Sequence, residues 1–218
     1  MSFIVAIDGP AGSGKGTVAK LISKDLSFVN IDTGATFRCV ALAMLQKNIK
    51  KEEEKEIEKI LKNIKIDMKA DGTILLNNEV VTDRIRENDV NELVSPISTI
   101  KIVREKLLEI QRNIASGKNV VMEGRDIGTV VFPEADVKIY LDASAEERAR
   151  RRLKQNKEKG IESSYEEVLQ NIKDRDKRDS SREIAPLKKA EDAILIDSTN
   201  LEINEVVKAI EEIIEKVR

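Results

Sequence analysis

The segment Ile4-Val5-Ala6-Ile7-Asp8 runs straight into Gly9-Pro10-Ala11-Gly12-Ser13-Gly14-Lys15-Gly16-Thr17, and apolar residues then recur at helical spacing through Val18, Leu21 and Ile22. A chain that bends this sharply between a buried-type strand and a helix points several backbone N–H groups at one anion. The helix N-terminus adds partial positive charge. Gly9, Gly14 and Lys15 meet the spacing G-x-x-x-x-G-K, which lets Lys15 reach the β- and γ-phosphates of a nucleoside triphosphate. The following residue is Gly16 where a hydroxyl is usual, and the hydroxyl is delayed to Thr17. A strand-to-helix turn that merely needs glycine is the simpler alternative, and the flanking strand and helix argue against it.

Short apolar runs suited to parallel strands occur at Phe3–Ile7, Phe28–Ile31, Val120–Met122, Val137–Leu141 and Ala193–Ile196, with helical patterns between most of them. This alternation predicts an α/β fold with a five-stranded parallel sheet covered on both faces, binding ligands beyond the carboxyl ends of its strands. Between the second and third runs the character changes. A helix from about Thr36 to Gln46 is followed by a charged one with Ile57, Ile60, Leu61 and Ile64 on one face, its Lys50–Lys59 charges a solvated surface. The period then falls to two: Ile64, Ile66 and Met68 alternate with polar residues, and Asp71-Gly72 and Asn77-Asn78 offer turns before Ile74–Leu76 and Val80-Val81. An antiparallel meander inserted into the α/β domain is expected, returning through Ser95 to a helix of Val103, Leu107, Leu108, Ile110 and Ile114 that carries Arg104.

Composition excludes several chemistries. The 218 residues contain no histidine and one cysteine, Cys39. No imidazole base, internal disulfide or multi-cysteine zinc site is available. With 38 Lys+Arg against 40 Asp+Glu, no global field draws the chain to nucleic acid or to an anionic membrane. Six aromatic residues and no tryptophan leave few stacking platforms for single strands. No apolar run approaches the roughly 18 residues of a membrane span, and Met1 to Val5 leads into the first strand without a signal-like region, so a cytoplasmic protein is expected.

What remains is carboxylate, lysine, arginine and backbone amide chemistry. Glu123 ends an apolar strand just before Gly124-Arg125-Asp126-Ile127-Gly128, a place from which a carboxylate can hold magnesium or its waters. A plain glycine-flanked turn is the alternative there. The basic run Arg148, Arg150, Arg151, Arg152, Lys154, Lys157 and Lys159 is either a solvated helix or a lid closing over a polyphosphate. Further on, Tyr165, Val168, Leu169 and Ile172 make a buried stripe whose continuation reads Arg175, Asp176, Asp179 and Arg182. Charges on an inward face need partners or a ligand, so these form an internal ion-pair ladder or grip a phosphorylated sugar. Phosphoryl transfer suits the whole set, because it needs positioning and charge neutralisation more than a general base.

Gly9 to Thr17, the segment Asp32-Thr33-Gly34-Ala35-Thr36-Phe37-Arg38 and the segment Glu123-Gly124-Arg125-Asp126-Ile127-Gly128-Thr129-Val130-Val131-Phe132-Pro133 together resemble the bacterial cytidylate kinases. The resemblance continues through Lys138–Ser144, Arg175–Arg182 and Asp197-Ser198-Thr199 and spans essentially the whole chain. It implies a P-loop nucleoside-monophosphate kinase fold over residues 1–218, with a monophosphate-binding insertion at 36–103 and a lid at 147–163. It also implies transfer of the γ-phosphoryl group of ATP, with Mg2+, to CMP or dCMP, by a monomer that binds neither nucleic acid nor membrane. By position, Gly9, Pro10, Ala11, Gly12, Ser13, Gly14, Lys15, Gly16 and Thr17 would bind ATP, with no direct protein ligand to the metal. Thr33, Phe37, Arg38, Ser95, Arg104, Arg125, Asp126, Arg175, Asp179 and Arg182 would bind CMP. Within that set Arg38 and Arg125 fall to the acceptor phosphate, with Arg182 on that phosphate or close to it, Arg175 and Asp179 to the ribose, and Ser95, Arg104 and Asp126 to the cytosine edge. Lys15, Glu123, Arg148, Arg151 and Arg152 would serve the transferring group. Glu123 stands where the family often has aspartate, Thr33 where serine is common, and Phe37 where tyrosine is common. Gly16 is normal among such kinases.

Two other readings share the phosphate loop. One is the same reaction on UMP or AMP, opposed only by the three base-reading residues. The other is a P-loop switch or regulatory ATPase, weakened by the absence of an Asn-Lys-x-Asp element. Nucleotide turnover that depends on an added monophosphate separates a kinase from a hydrolase.

Overall fold

The computed structural model describes residues 2–69, 71–158 and 160–218. Met1 and Lys159, which figure in the expected lead-in and in the expected basic run and lid, lie outside the described residues. Strand β1 (Ile4–Asp8) leads through the glycine loop into α1 (Lys15–Asp25), followed by β2 (Val29–Asp32), α2 (Thr33–Gln46) and α3 (Glu54–Asn63). A meander of β3 (Ile66–Met68), β4 (Ile74–Leu76) and β5 (Glu79–Val80) precedes α4 (Asn88–Ile97) and α5 (Lys101–Ala115). The chain closes with β6 (Val120–Gly124), β7 (Val137–Asp142), α6 (Ala145–Glu158), α7 (Tyr165–Ser181), β8 (Ile194–Asp197) and α8 (Ile203–Val217).

The fold is α/β, and its main sheet has five strands, as the pattern of apolar runs predicts; their order is β2-β6-β1-β7-β8. The registers of β1 with β6, β1 with β7 and β7 with β8 are all parallel. Val5, Ala6 and Ile7 are all fully buried, which is why the central strand shows no alternation in the sequence.

Contacts divide the chain into two compact units, one built chiefly of Val29–Asn119 and the other of Phe3–Phe28 with Val120–Arg218. In the second unit α1 and α8 bury Val18, Ile22, Ile210 and Ile214 against Ile7 and Ile139. A satellite cluster forms where Ala149 of α6 meets Val168 and Ile172 of α7, with Tyr165 and Leu169 packed on it. The stripe read from the sequence is therefore the seam of a helical hairpin. Its second helix starts at a reciprocal cap between Ser164 and Glu167.

In the first unit the meander is antiparallel, with Ile66 opposite Leu76 and Leu75 opposite Val80. Two details depart from expectation. Helix α2 starts at Thr33, three residues early, because the Asp32 carboxylate accepts the Ala35 N–H at 3.1 Å and caps it. Helix α4 has no clear sequence signature, since it carries Pro96, which argues against a helix when read alone.

Candidate active site

The glycine loop of the second unit is shaped by what stands behind it. Gly9 has φ 149°, and a Cβ built there would lie 2.0 Å from the Leu141 carbonyl oxygen of β7. Only glycine fits this approach. Gly14, with φ 95°, ends the loop as the N-cap of α1. At Gly16 a Cβ would lie 2.7 Å from Glu123 Oε1. The carboxylate at the end of β6 thus occupies the space where the more common serine or threonine would sit.

Lys15 is almost entirely buried, and its Nζ donates to the Pro10 carbonyl at 2.7 Å and to Ser13 Oγ at 3.3 Å. Both acceptors belong to the loop, so the ammonium is folded back onto the loop's own polar atoms. Burial, and then the Arg125 charge, pull its pKa down to about 7, against the opposing pull of Glu123 and Asp8. Because the fold holds Lys15 below its ordinary pKa, triphosphate binding near pH 7 is expected to take up protons as the polyphosphate draws the lysine back to its charged form. Calorimetry in buffers of different ionisation enthalpy measures this, and no uptake would remove Lys15 from contact with the phosphates.

Around the end of α7 three guanidinium groups share one carboxylate. Asp179 is buried, and its Oδ2 lies 3.0 Å from Arg125 Nε and 3.9 Å from Arg175 Nε. Its Oδ1 lies 4.0 Å from Arg182 Nη1. One buried carboxylate thus faces guanidinium groups from two segments of the chain, Arg125 after β6 and Arg175 and Arg182 at the end of α7. Asp126 is also buried.

The basic helix α6 is less uniform than its sequence. Arg148 is buried, donating from Nε to the Ala143 carbonyl at 2.9 Å and from Nη1 to the Ala11 carbonyl at 3.1 Å. It also makes a two-point pair with Asp176 at 3.1 and 2.6 Å. Its guanidinium thereby ties the glycine loop, the end of β7 and α7 together. Arg151 donates to the Ser198 carbonyl at 2.6 Å and to Ser198 Oγ at 3.2 Å, and that hydroxyl lies 3.3 Å from the Ser13 carbonyl of the loop. Arg152 is exposed. Sequence reasoning gave no role to Asp8 or Ser198, and for Asp8 a signal was present: a carboxylate closing an otherwise apolar central strand.

The first unit carries a second cluster. The Arg104 guanidinium stands 5.4 Å from the centroid of the Phe37 ring and donates to the Ser98 carbonyl at 3.0 Å. Ser98 Oγ in turn donates to the Ser95 carbonyl at 2.8 Å. Phe37 lacks a tyrosine's hydroxyl and keeps the ring face that holds Arg104. Thr33 is buried in the first turn of α2, while Arg38 donates to the Ile85 carbonyl at 3.2 Å and to Asn91 Oδ1. Cys39 is buried and burial pushes its thiol up to about 12, so it is no nucleophile.

No group of three or more metal-ligating side chains occurs among the described residues. Each oxygen of Asp8 accepts a backbone N–H, and Glu123 Oε1 lies 2.7 Å from where a Cβ on Gly16 would stand. A lone carboxylate such as Glu123 suits the waters of an ion that arrives on a nucleotide's phosphates. Nor is any helix among the described residues long and apolar enough to cross a membrane.

The cytidylate kinase family profile matches residues 5–216. A cytidylate kinase of Fusobacterium nucleatum is 54% identical over 217 residues, covering 100% of this chain and 99% of its own length. One of Caldicellulosiruptor saccharolyticus is 50% identical over 216 residues, covering 98% and 96%. Among solved structures, a shikimate kinase of Bacteroides thetaiotaomicron has a TM-score of 0.50 at 12% identity over 98% of both chains, a likeness of fold alone.

Proposed function

The chain belongs to the cytidylate kinase family, and from that premise we propose how its residues divide the transfer of the γ-phosphoryl group of ATP to CMP or dCMP. The observation that carries the assignment is the buried Asp179 with its three arginines, in the same unit as a glycine loop that holds Lys15.

Gly9 to Thr17 bind the donor phosphates through backbone amides, and Lys15 leaves the Pro10 carbonyl to follow the migrating group. Glu123 would accept hydrogen bonds from the waters of a magnesium ion carried by the nucleotide, which would supply charge neutralisation to the phosphates. Arg38, Arg125 and Arg182 take the acceptor phosphate, Arg175 and Asp179 the ribose, and Thr33 and Phe37 line the acceptor's place. Arg151 and Arg152 add charge on closure of the 147–163 lid, while the bonds of Arg148 to Ala11, Ala143 and Asp176 support a role in holding the loop. The acceptor phosphate is already an anionic nucleophile, so a chain without histidine lacks nothing that the reaction requires. Monomeric action in the cytoplasm and a monophosphate-binding role for residues 36–103 complete the reading.

Base choice provides the test. Cytosine offers an amino donor beside an unprotonated ring nitrogen, which suits the Asp126 carboxylate and Ser95 hydroxyl with the Arg104 guanidinium. Uracil reverses both groups, and each buried mismatch costs about 1–3 kcal/mol. ATP consumption with CMP, dCMP, UMP, AMP and GMP is expected to depend on the monophosphate and to favour the cytidine nucleotides. Asp126→Ala is expected to depress kcat/KM for CMP roughly tenfold to several-hundredfold, and more than for UMP. Equal losses on both substrates would refute the base-reading role.

A further inference from the structure

Asp8 closes β1 and is 5% exposed. Its Oδ1 accepts the Ile127 N–H at 2.8 Å and its Oδ2 the Gly128 N–H at 2.8 Å. These amides open the single π-helical turn Ile127–Val131, which returns the Val131 N–H to the Asp126 carbonyl at 3.1 Å and the Phe132 N–H to the Ile127 carbonyl at 2.7 Å. The first amides of a helical turn have no acceptor within it, and the residue just before the turn ordinarily supplies one. That residue is Asp126, an aspartate, among the side chains best suited to the task, yet it makes no capping bond. A carboxylate from a strand 119 residues earlier does the capping instead.

The arrangement carries a cost that a purely structural cap at the turn would avoid. Burial of Asp8 pushes its carboxyl up to about 6 despite the two amides. The neighbours that bear on its charge are Asp126, which adds to the upward push, Lys15, which opposes it, and Tyr140, its register partner on β7. Lys138 also reaches the turn, its Cδ lying 3.2 Å from where a Cβ on Gly128 would stand.

We propose that Asp8 is a positioning residue for acceptor recognition: by capping the Ile127–Val131 turn in place of Asp126, it keeps the Asp126 carboxylate directed to the acceptor base. Asp8 touches no substrate and acts through Asp126. The inference rests on the assignment of Asp126 to the base made above.

Asp8→Asn preserves size and removes the double acceptor, because the new amide accepts one N–H and turns its NH2 toward the other. Asp126 is then the nearest alternative cap. KM for CMP is expected to rise roughly tenfold to a hundredfold and the CMP:UMP ratio of kcat/KM to fall by a similar factor, with a smaller rise in KM for ATP because the Asp8 charge also supports Lys15. In a cycle with Asp126→Asn the two changes are expected to be strongly non-additive, Asp8→Asn having little further effect on selectivity once Asp126 is gone. An unchanged CMP:UMP ratio, an equal rise in both KM values, or additivity in the cycle overturns the proposal. If Asp8→Asn does not yield folded protein, Asp8→Ser, which retains one acceptor, carries the same comparison. If wild type itself does not prefer CMP to UMP, the assignment of Asp126 fails. Asp8 is then judged by amide hydrogen exchange at Ile127 and Gly128: faster exchange in Asp8→Asn supports the cap, and unchanged exchange overturns it.

Discussion

Lys15→Ala is expected to lower kcat at saturating ATP and CMP by about 10²–10³, the usual cost of removing one preorganised group that meets charge developing in the transition state. CMP binding is expected to survive, because the lysine serves the donor phosphates and the migrating group. A variant that keeps more than half of wild-type kcat would remove Lys15 from the mechanism. Steady-state kinetics with CMP affinity measured separately makes the distinction.

The same lysine makes a stability prediction of opposite sign. Its pKa falls from 10.5 in the unfolded chain to about 7 in the fold. Between those values the unfolded state binds more protons, so this group makes stability rise with pH through that window, and its cost is fullest at the acidic end. Lys15→Met, similar in length and without the charge, is expected to melt at a higher temperature than wild type at pH 7. The gain is expected to shrink toward pH 10. Thermal unfolding across this range checks it, and a lower melting temperature at pH 7 would mean that the bonds to Pro10 and Ser13 outweigh the burial of the charge.

Gly9→Ala is the other large effect. The new methyl would lie 2.0 Å from a carbonyl oxygen of β7, and φ at this residue is 149°. A strand backbone in the middle of a sheet cannot yield, so the glycine loop must. Overpacking of this kind costs about 1–3 kcal/mol, and an unfavourable backbone conformation costs about as much again. The melting temperature is expected to fall on the order of 10 °C. Turnover is expected to fall at least as far as in Lys15→Ala, because a displaced loop misplaces every amide that faces the phosphates. Full activity in Gly9→Ala would show that the loop tolerates displacement.

The central strand β1 was legible in the sequence because local pattern decides it: the continuous apolar run Phe3–Ile7 before the glycine loop leaves few alternatives to a buried parallel strand. The glycine loop was legible for the same reason, its chemistry residing in backbone amides whose direction glycine spacing controls. The start of α2 and the existence of α4 were not, since one depends on the Asp32 carboxylate reaching the Ala35 amide and the other tolerates Pro96.

For the site, the sequence by itself determined which residue types were available: arginine, lysine and carboxylate, with no histidine and one inert cysteine. It could not assign their bonds. Arg148 and Arg152 look alike in a basic run, yet one is buried against Ala11, Ala143 and Asp176 and the other is exposed. Gly16 looks like a departure from a motif until Glu123, 107 positions later, is seen to occupy its side-chain space. Asp8 and Asp126 are both aspartates beside glycine turns, and only the parallel register that sets Asp8 opposite Gly124 brings its carboxylate to the amides that follow Asp126. Strand, helix and loop follow from neighbours in the chain, but the partner of a charge is set by burial and by sheet order, which bring together residues more than a hundred positions apart.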